Sequence, residues 1–309
     1  MRVAIIGEAG GWHVRRLAAA VAGRGHDVSI VRWADMAAVV GCGPERFEPE
    51  PLELADAVAV RGMPGSAAPD DRLEEVVFRM DLLGRLAARG RTVVNSPRAL
   101  ETAIDKYLSL SRLAAAGLPV PRTIVAQAPE ACRRGWEQLG RDCVVKPLFG
   151  SRGRGILRLD GATAFAAWQN LPDGDQRPGR VAYLQEFVPH PGWDVRILMV
   201  GDDWFAMRRI AAAGDWRTNI SLGGRPEPFT PPPPWVDLAR RAAREVEADV
   251  AGVDLLPATD GRVLILEVNA VPGWRGLETA TGKDLSQAVA AHLEKAANAA
   301  VAANVPGRR

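Results

Sequence analysis

Two stretches of this chain carry residue types whose spacing suits them to chemistry. The first is VVKPLFGSRGRGI, in which Lys146 ends an apolar strand and Gly150, Gly153 and Gly155 surround Ser151. Glycines let a backbone approach a phosphate closely and turn consecutive N–H groups toward it, and Ser151 adds a hydroxyl donor. Lys146 would set a point charge on the same phosphates. The lysine precedes the glycines, so this is not a Walker A loop. A plain flexible turn would have no need of the strand lysine.

The second stretch is a hairpin. On VLILEVN, Glu267 and Asn269 are two residues apart and share one face, while on AGVDLL Asp254 interrupts an apolar strand. A turn centred on Asp260-Gly261, a favoured hairpin dipeptide, sets Asp254 opposite Glu267. Oxygen ligands without His or Cys point to a hard cation, Mg²⁺ or Mn²⁺, rather than zinc. Two unpaired carboxylates facing each other in an apolar hairpin would repel and lose solvation, which a cation relieves. Acids on a solvated face are the plain alternative, and Pro257 stands where it would lengthen the loop.

Basic and amide groups lie between the two: Arg196, Arg208, Arg209, Arg217 and Asn219. Arginines suit bidentate capture of phosphate or carboxylate, with a solvated basic edge as the alternative. Lys106 is a further candidate phosphate ligand, although a lone helical lysine is commonly just surface. The N-terminal GEAGGWH follows a strand but does not match G-x-G-x-x-G, and no acidic ribose binder stands about twenty residues on, which disfavours NAD. Glu8 to Arg16 read as a glycine-tolerant turn of a Rossmann-like domain, or as the lining of a pocket at the strand's carboxyl edge.

The elements that must position these groups are legible in outline. Val3–Ile6, Val28–Val31, Ala57–Val60 and TVVN read as strands, alternating with helices from Trp12 to Arg24 and from Asp70 to Arg89. That β-α-β alternation predicts a parallel sheet with helices on its faces. Ser96 before Pro97 predicts a helix start, and one helix is expected to run on to Gly117. A mixed middle section follows, with strands RTIVA and CVVK and helices near Glu130–Leu139 and Ala162–Asn170. The last third holds longer strands (VAYLQEFV, VRILMV, WFAMRRI, VAGVDLL, VLILEVN) and helices from Trp235 to Ala248 and from Lys283 to Asn298.

Composition sets the limits. The 309 residues hold 39 Lys+Arg against 37 Asp+Glu, a net charge of +2, and are 47% hydrophobic and 25% charged. This is the profile of an ordinary globular chain of two or three domains, without the basic stripe of a nucleic-acid binder. Cys42, Cys132 and Cys143 form no C-x-x-C pair, so neither a disulfide framework nor a zinc site is signalled. No apolar run approaches the ~20 residues that span a bilayer. The expected setting is the cytoplasm, with no membrane partner.

Taken in order, Lys106, Lys146, GSRGRG, QEFV, DVR, RRI, RTN with its following glycines, GVDLL and LEVNAVPG resemble the ATP-grasp superfamily, and within it the RimK-like carboxylate–amine ligases, over residues 95–295. The resemblance implies an α/β chain, α+β toward its C-terminus: a Rossmann-like pre-ATP-grasp domain (1–95), a central ATP-grasp subdomain with a glycine-rich lid (96–183), and a C-terminal subdomain with the metal hairpin (184–309). It implies ATP and two Mg²⁺ or Mn²⁺ ions. Lys106 and Lys146 would contact the phosphates, beneath a lid of Gly150, Ser151, Gly153 and Gly155. Backbone of Gln185, Glu186, Phe187 and Val188 would hold adenine, with Asp194 at the ribose and Arg208 among the nucleotide ligands. Arg209, Arg217 and Asn219 would face the γ-phosphate, and Asp254, Glu267 and Asn269 the metals.

The implied reaction activates a carboxylate as an acyl phosphate, which an amine then attacks. The segment LEVNAVPGWRGLETATGKDLS resembles enzymes that add L-glutamate, and VPGWRGL is similar to relatives linked to tetrahydromethanopterin. The implied partners are a small-molecule carboxylate acceptor and L-glutamate, with a protein C-terminus second and an amino-group carrier third. Homo-oligomers are common among such relatives. A phosphotransferase or a non-catalytic nucleotide-binding regulator stays open. One departure touches the acceptor pocket: Ile220-Ser221-Leu222 stand where such ligases often carry a histidine.

Overall fold

The computed structural model describes residues 1–63, 73–150, 153–171 and 181–303. The chain opens with β1 (Arg2–Ile6), α1 (Trp12–Gly23), β2 (Asp27–Val31), the short antiparallel pair β3 (Ala37–Val39) and β4 (Arg46–Glu48), α2 (Glu50–Glu53), β5 (Ala57–Val60), α3 (Leu73–Ala88) and β6 (Thr92–Val94). Strands β2-β1-β5-β6 form the parallel sheet that the alternation predicts. Every residue from Val3 to Ile6 is buried because both sheet faces are covered. Val3 and Ile5 join Leu17 and Val21 of α1, while Ala4 and Ile6 join Leu83 and Leu86 of α3. The predicted start of that third helix, near Asp70, lies outside the described residues.

The single helix expected between Ser96 and Gly117 is two helices. Ser96 caps α4 (Pro97–Ile104) as its sequence indicates, its Oγ accepting from Ala99 N–H at 3.1 Å. Asp105 then leaves helical geometry, and its carboxylate accepts from Tyr107 and Leu108 N–H at 2.8 and 3.1 Å to start α5 (Lys106–Ala115). The break puts Lys106 in the first turn of α5, where a side chain can reach beyond the helix end.

The second sheet comprises β7 (Thr123–Ala126), β8 (Cys143–Lys146), β9 (Leu157–Leu159) and β10 (Ala182–Glu186), in the antiparallel order β7-β10-β8-β9. Helices α6 (Pro129–Gln138) and α7 (Ala162–Gln169) supply Trp136, Phe165 and Trp168 to its core. Cys132 and Cys143 are buried there, and burial pushes the Cys143 thiol up to about 12; Cys42 is exposed. None of the three forms a disulfide.

The third sheet holds β11 (Trp193–Val200), β12 (Asp203–Ile210), β13 (Arg225–Pro228), β14 (Val250–Pro257) and β15 (Val263–Asn269), antiparallel in the order β13-β12-β11-β14-β15. Helix α8 (Pro233–Glu245) covers Ile197 and Val253 on one face. Helices α9 (Arg275–Thr281) and α10 (Leu285–Ala303) cover Leu198 and Val250 on the other, in a cluster that also contains Val3, Ile5 and Leu17 of the first sheet and α1. No helix of the described residues is long and apolar enough to cross a membrane.

One buried amide ties the first sheet to the third. Asn95, 2% exposed, donates from Nδ2 to the carbonyls of Val250 (2.7 Å) and Ala270 (2.5 Å) and accepts from Val250 N–H at 2.9 Å. Asn95→Leu would orphan three main-chain groups, at about 1–3 kcal/mol each when buried. Urea unfolding of this variant is expected to show a loss of about 3–5 kcal/mol; a loss below about 1 kcal/mol would show that water replaces the amide.

Candidate active site

Strands β8 and β10 build one wall of a cleft. Period-two alternation turns Cys143 and Val145 toward the helices and leaves Val144 and Lys146 on the open face. Lys146 Nζ donates to Gln185 Oε1 at 2.6 Å, and Gln185 Nε2 donates on to Thr123 Oγ1 (3.0 Å) and Tyr183 Oη (3.3 Å). The lysine thus has a neutral partner in a shielded site. Burial, reinforced by Lys106 and opposed by Glu267 and Asp254, lowers it to about 8. Beyond Gln185 the wall turns aromatic: Phe187 meets Trp216 edge-on at 5.7 Å and His190 at 6.2 Å.

The facing wall is the β14–β15 hairpin. Asp254 pairs with Glu267 as the sequence predicts, but by a different route. Ala258 N–H donates to Arg262 C=O, closing a three-residue loop in which Gly261 has φ +88°, so the pairs nearest the turn are Pro257–Val263, Leu256–Leu264 and Leu255–Ile265. A bulge beyond Leu255 then inserts Leu266 and restores Asp254 to Glu267. Leu266 and Glu267 both line the cleft in consequence.

The expectation that Asp254 and Glu267 face each other as unpaired carboxylates is corrected. Asp254, 5% exposed, accepts from Arg196 Nε and Nη2, both at 2.7 Å, and lies 2.9 Å from Arg209 Nη2. Arg209 in turn donates to both oxygens of Asp194, at 2.7 and 2.5 Å, and Thr218 Oγ1 donates to Asp194 at 2.7 Å. The cause lies in strand order: β11 runs between β12 and β14, so Asp194 is opposite Arg209 and Arg196 opposite Asp254. Burial opposes ionisation of Asp254, but the two arginines outweigh it and hold the carboxyl below its ordinary range. Glu267 has no hydrogen-bond or ion-pair partner among the described residues.

The glycine loop lies across this cleft. Lys106 Nζ donates to Gly150 C=O at 2.7 Å, tethering the loop to α5. Gly153 is buried at φ +73°, where a Cβ would sit 2.7 Å from Asn219 Oδ1 and 2.9 Å from Leu222. Only glycine fits this approach of lid to RTN segment. Gly155 is also left-handed, at φ +68°, and Ser151 lies outside the described residues.

Together these elements enclose about 690 Å³ of space, part of it open to solvent. Its lining includes Lys146, Gln185, Glu186, Phe187, Val188, Asp194, Arg209, Arg217, Asn219, Asp254 and Glu267. Arg217 is held by Asp215 through three contacts of 2.9–3.2 Å. Glu186 contributes main chain, since its carboxylate binds Arg122.

Three assignments differ from the expected roles. Arg208 points to the opposite face of β12 from Arg209 and pairs with Glu227 across β13 at 2.7 Å, so it is not part of the lining. Asp194 is 1% exposed with both oxygens spent on Arg209 and Thr218, and offers the ribose no free carboxylate. Asn269 Oδ1 caps the turn after β15, accepting from Val271 N–H at 2.8 Å. Sequence reasoning missed Val144, Ile156, His190, Trp216, Thr218, Leu256 and Leu266 in the lining. The alternation of Leu256 with Asp254 was a usable signal; the aromatic pair was not, since Trp216 comes from a loop.

Two features fit a nucleotide and a hard cation. His190 Nδ1 is buried without a partner, burial holding the ring below its ordinary value against the pull of Asp194, and Val188 lines the cleft next to it. Both sit beside the aromatic wall. Glu267 is an open oxygen donor, and Asp254 Oδ1 keeps a lone pair beside its one hydrogen bond to Arg196. Among the described residues no group of three or more His, Cys, Asp or Glu could by itself hold a metal ion.

The shielding of Lys146 has a measurable consequence. Acylation of Lys146 by a limiting amount of an amine-reactive anhydride, followed by peptide mass spectrometry, is expected to rise with a midpoint of about 8. MgATP should move that midpoint upward, because phosphate favours the ammonium form. A midpoint near 10.5, unchanged by MgATP, would contradict both the shielding and the phosphate contact.

Comparison with known proteins identifies the family. Residues 103–293 match the RimK-like ATP-grasp domain. A tetrahydromethanopterin:alpha-L-glutamate ligase of Methanosarcina acetivorans is 34% identical over 79% of this chain and 81% of its own length. A probable alpha-L-glutamate ligase of Alkalilimnicola ehrlichii is 31% identical over 92% of both. Among solved structures, the ATP-grasp ligase PsnB complexed with a minimal precursor superposes with a TM-score of 0.74 at 25% identity, covering 96% of this chain and 98% of that one. A domain match over most of the chain and relatives above 30% identity along most of their length settle the family: the chain belongs to the RimK-like ATP-grasp ligases.

Proposed function

We propose that this enzyme joins L-glutamate to a small carboxylated acceptor through an acyl phosphate, releasing ADP and phosphate. The observation that carries the reading is the convergence in one cleft of a shielded lysine, a glycine lid, an aromatic slot and an acidic hairpin. Adenine would lie against the cleft wall of Phe187, Trp216, Leu256 and Leu266, with the main chain of Gln185–Val188 and the His190 ring as polar partners. Lys146 and Lys106 take the phosphates, and the loop that carries Gly150, Gly153 and Gly155 would cover them. The three parts of the chain, 1–95, 96–183 and 184–309, would supply the acceptor side, the lid and the hairpin respectively.

In the first step an acceptor carboxylate oxygen attacks the γ-phosphorus and the bond to the β-γ bridging oxygen breaks, freeing ADP. In the second, the glutamate amine attacks the acyl carbon, the carbon–oxygen bond to phosphate breaks, and the nitrogen loses a proton. Arg217 and Asn219, at the mouth of the lid, are placed to hold the transferring phosphoryl oxygens. Arg209 acts from behind, fixing Asp254 and Asp194. Magnesium, which Glu267 and the free lone pair of Asp254 would hold, would supply charge neutralisation along the phosphates; manganese would serve the same donors. Exclusion of water by the lid protects the acyl phosphate from hydrolysis.

The Methanosarcina relative supports a tetrahydromethanopterin-type acceptor. A peptide carboxylate is the second reading, because PsnB was solved with precursor peptides. Incubation with MgATP, isotope-labelled L-glutamate and a small-molecule cell extract separates them: a small metabolite heavier by one labelled glutamyl unit supports the first, and labelled peptide only the second. Glu267→Gln is expected to lower kcat by about 100-fold or more with an unchanged melting temperature, since Glu267 has no protein partner to lose. A near-normal rate would remove Glu267 from the metal site.

A further inference from the structure

The arginines around the cleft are neutralised within the protein: Arg196 by Asp254, Arg208 by Glu227, Arg209 by Asp194 and Asp254, and Arg217 by Asp215. Arg61 differs from all of them. It follows the last residue of β5 and donates from Nη2 to Pro272 C=O at 2.8 Å, with its guanidinium carbon 4.3 Å from the centre of the Trp274 ring. Its Nε is shielded and meets no acceptor. Burial lowers it to about 9, and no carboxylate among the described residues acts on it. The residue is nonetheless half-buried rather than enclosed, and Nη1 is not among the shielded atoms that lack an acceptor, which leaves that end of the fork for a ligand.

Its position is as telling as its lack of a partner. In the order β2-β1-β5-β6 the chain leaves β1 toward one edge and β5 toward the other, so β1 and β5 flank the point where connections diverge. Ligands of open parallel sheets bind in the crevice at the carboxyl ends of those two strands. Gly7 closes β1 there, and a Cβ on it would meet the Arg61 backbone and Cβ at 3.5 Å and Val14 at 2.9 Å. Arg61 therefore projects from the crevice mouth.

The other side of the crevice belongs to the catalytic hairpin. Pro272, whose carbonyl Arg61 holds, packs on Gly252, where a Cβ would lie 2.9 Å from Pro272 Cβ and 3.9 Å from Arg196 Nε. Gly252 pairs with Asn269 and stands two residues before Asp254. The following turn is fixed from the first sheet's side, as His13 Nε2 accepts from Trp274 N–H at 2.9 Å and Arg275 N–H at 3.3 Å. Gly276 then abuts Ile220, next to Asn219, with room for no Cβ at 2.6 Å. Arg61 is thus held beside the segment that joins β15 to α9, which in turn packs on the loop of Asn219 and Ile220.

We infer that Arg61 is a substrate-recognition residue that binds a carboxylate of one of the two organic substrates, in the crevice between the first sheet and the Pro272–Arg275 turn. A guanidinium with an unpaired edge recognises a planar carboxylate by paired N–H donors. The stacked Trp274 and the Pro272 carbonyl hold the fork in place before the ligand arrives, which limits the ordering cost of binding. The identity of the carboxylates rests on the ligase reading above: either L-glutamate or the acceptor supplies the group.

Calorimetric titrations of the full chain with L-glutamate, L-glutamine and glutarate, with and without Mg²⁺ and a non-hydrolysable ATP analogue, test this. Glutarate stands for an acceptor carboxylate without an amine. Arg61→Gln is expected to weaken the bound carboxylate about tenfold or more and to erase the preference for glutamate over glutamine, while Arg61→Lys keeps most of that preference. Loss confined to glutamate assigns the amino-acid substrate; loss confined to glutarate assigns the acceptor. Unchanged analogue affinity in both variants shows that the fold survives. Wild-type affinities retained by Arg61→Gln would overturn the inference, as would analogue binding without binding of either carboxylate to the wild type. Arg61-dependent carboxylate binding in a chain that binds no nucleotide would instead refute the ligase reading and leave Arg61 its ligand.

Discussion

The site depends on one buried ionic network. Asp194 and Arg196 alternate on β11, Arg209 answers from β12 and Asp254 from β14, and Thr218 adds a hydroxyl from the loop. Two acids and two arginines cancel, so the network brings no net charge into the interior. Burying such ions costs several kcal/mol each in lost hydration, and replacement by apolar residues is often neutral or stabilising. Stability alone is therefore a weak reason for its presence. What it does is fix three strands and the RTN loop in one register at the base of the cleft, with every fork saturated.

That saturation decides which charges remain for a ligand. With Asp194, Asp254, Arg196 and Arg209 committed to one another, the open groups in the cleft are Lys146, hydrogen-bonded only to a neutral amide, and Glu267. They belong to opposite walls and sense each other electrostatically. A polyphosphate with its cation suits that pair, since the lysine answers the phosphates and the glutamate the metal. The lysine's charge is held down by burial while the cleft holds no anion, and phosphate would restore it. The same logic, a cation left without its anion, marks Arg61 at the other end of the hairpin.

Much of this was legible in the residues. Apolar runs gave the long strands, Ser96 gave a helix start, and the glycines at 150, 153 and 155 announced a close approach that Gly153 makes against Asn219. The Asp254–Glu267 pairing was also legible, although the half-residue displacement of the turn and the bulge at Leu266 offset each other invisibly. Other features needed strand order, which no local pattern contains. Only the placement of β11 between β12 and β14 shows that Asp254 is neutralised and that Asp194 is a partner for arginine. Arg208 and Arg209 are adjacent on a strand, so one of them had to face away, and alternation with Asp194 opposite Arg209 identifies which. β3, β4 and the edge strand β13, Arg-Pro-Glu-Pro, are too short or too rich in proline to show a period. The break at Asp105 is a local capping event inside an otherwise helical run.

The fold thus brings Lys146, the glycine loop and the acidic hairpin into one cleft, and the central claim is that a carboxylate is phosphorylated there before an amine enters. Hydroxylamine, supplied in place of L-glutamate with MgATP and the small-molecule extract, tests that claim most directly, because it intercepts an acyl phosphate as a hydroxamate. The account predicts hydroxamate and ADP in equal amounts, dependent on the extract. Formation of AMP and pyrophosphate, or of ADP with a stable phosphorylated product and no hydroxamate, would contradict it.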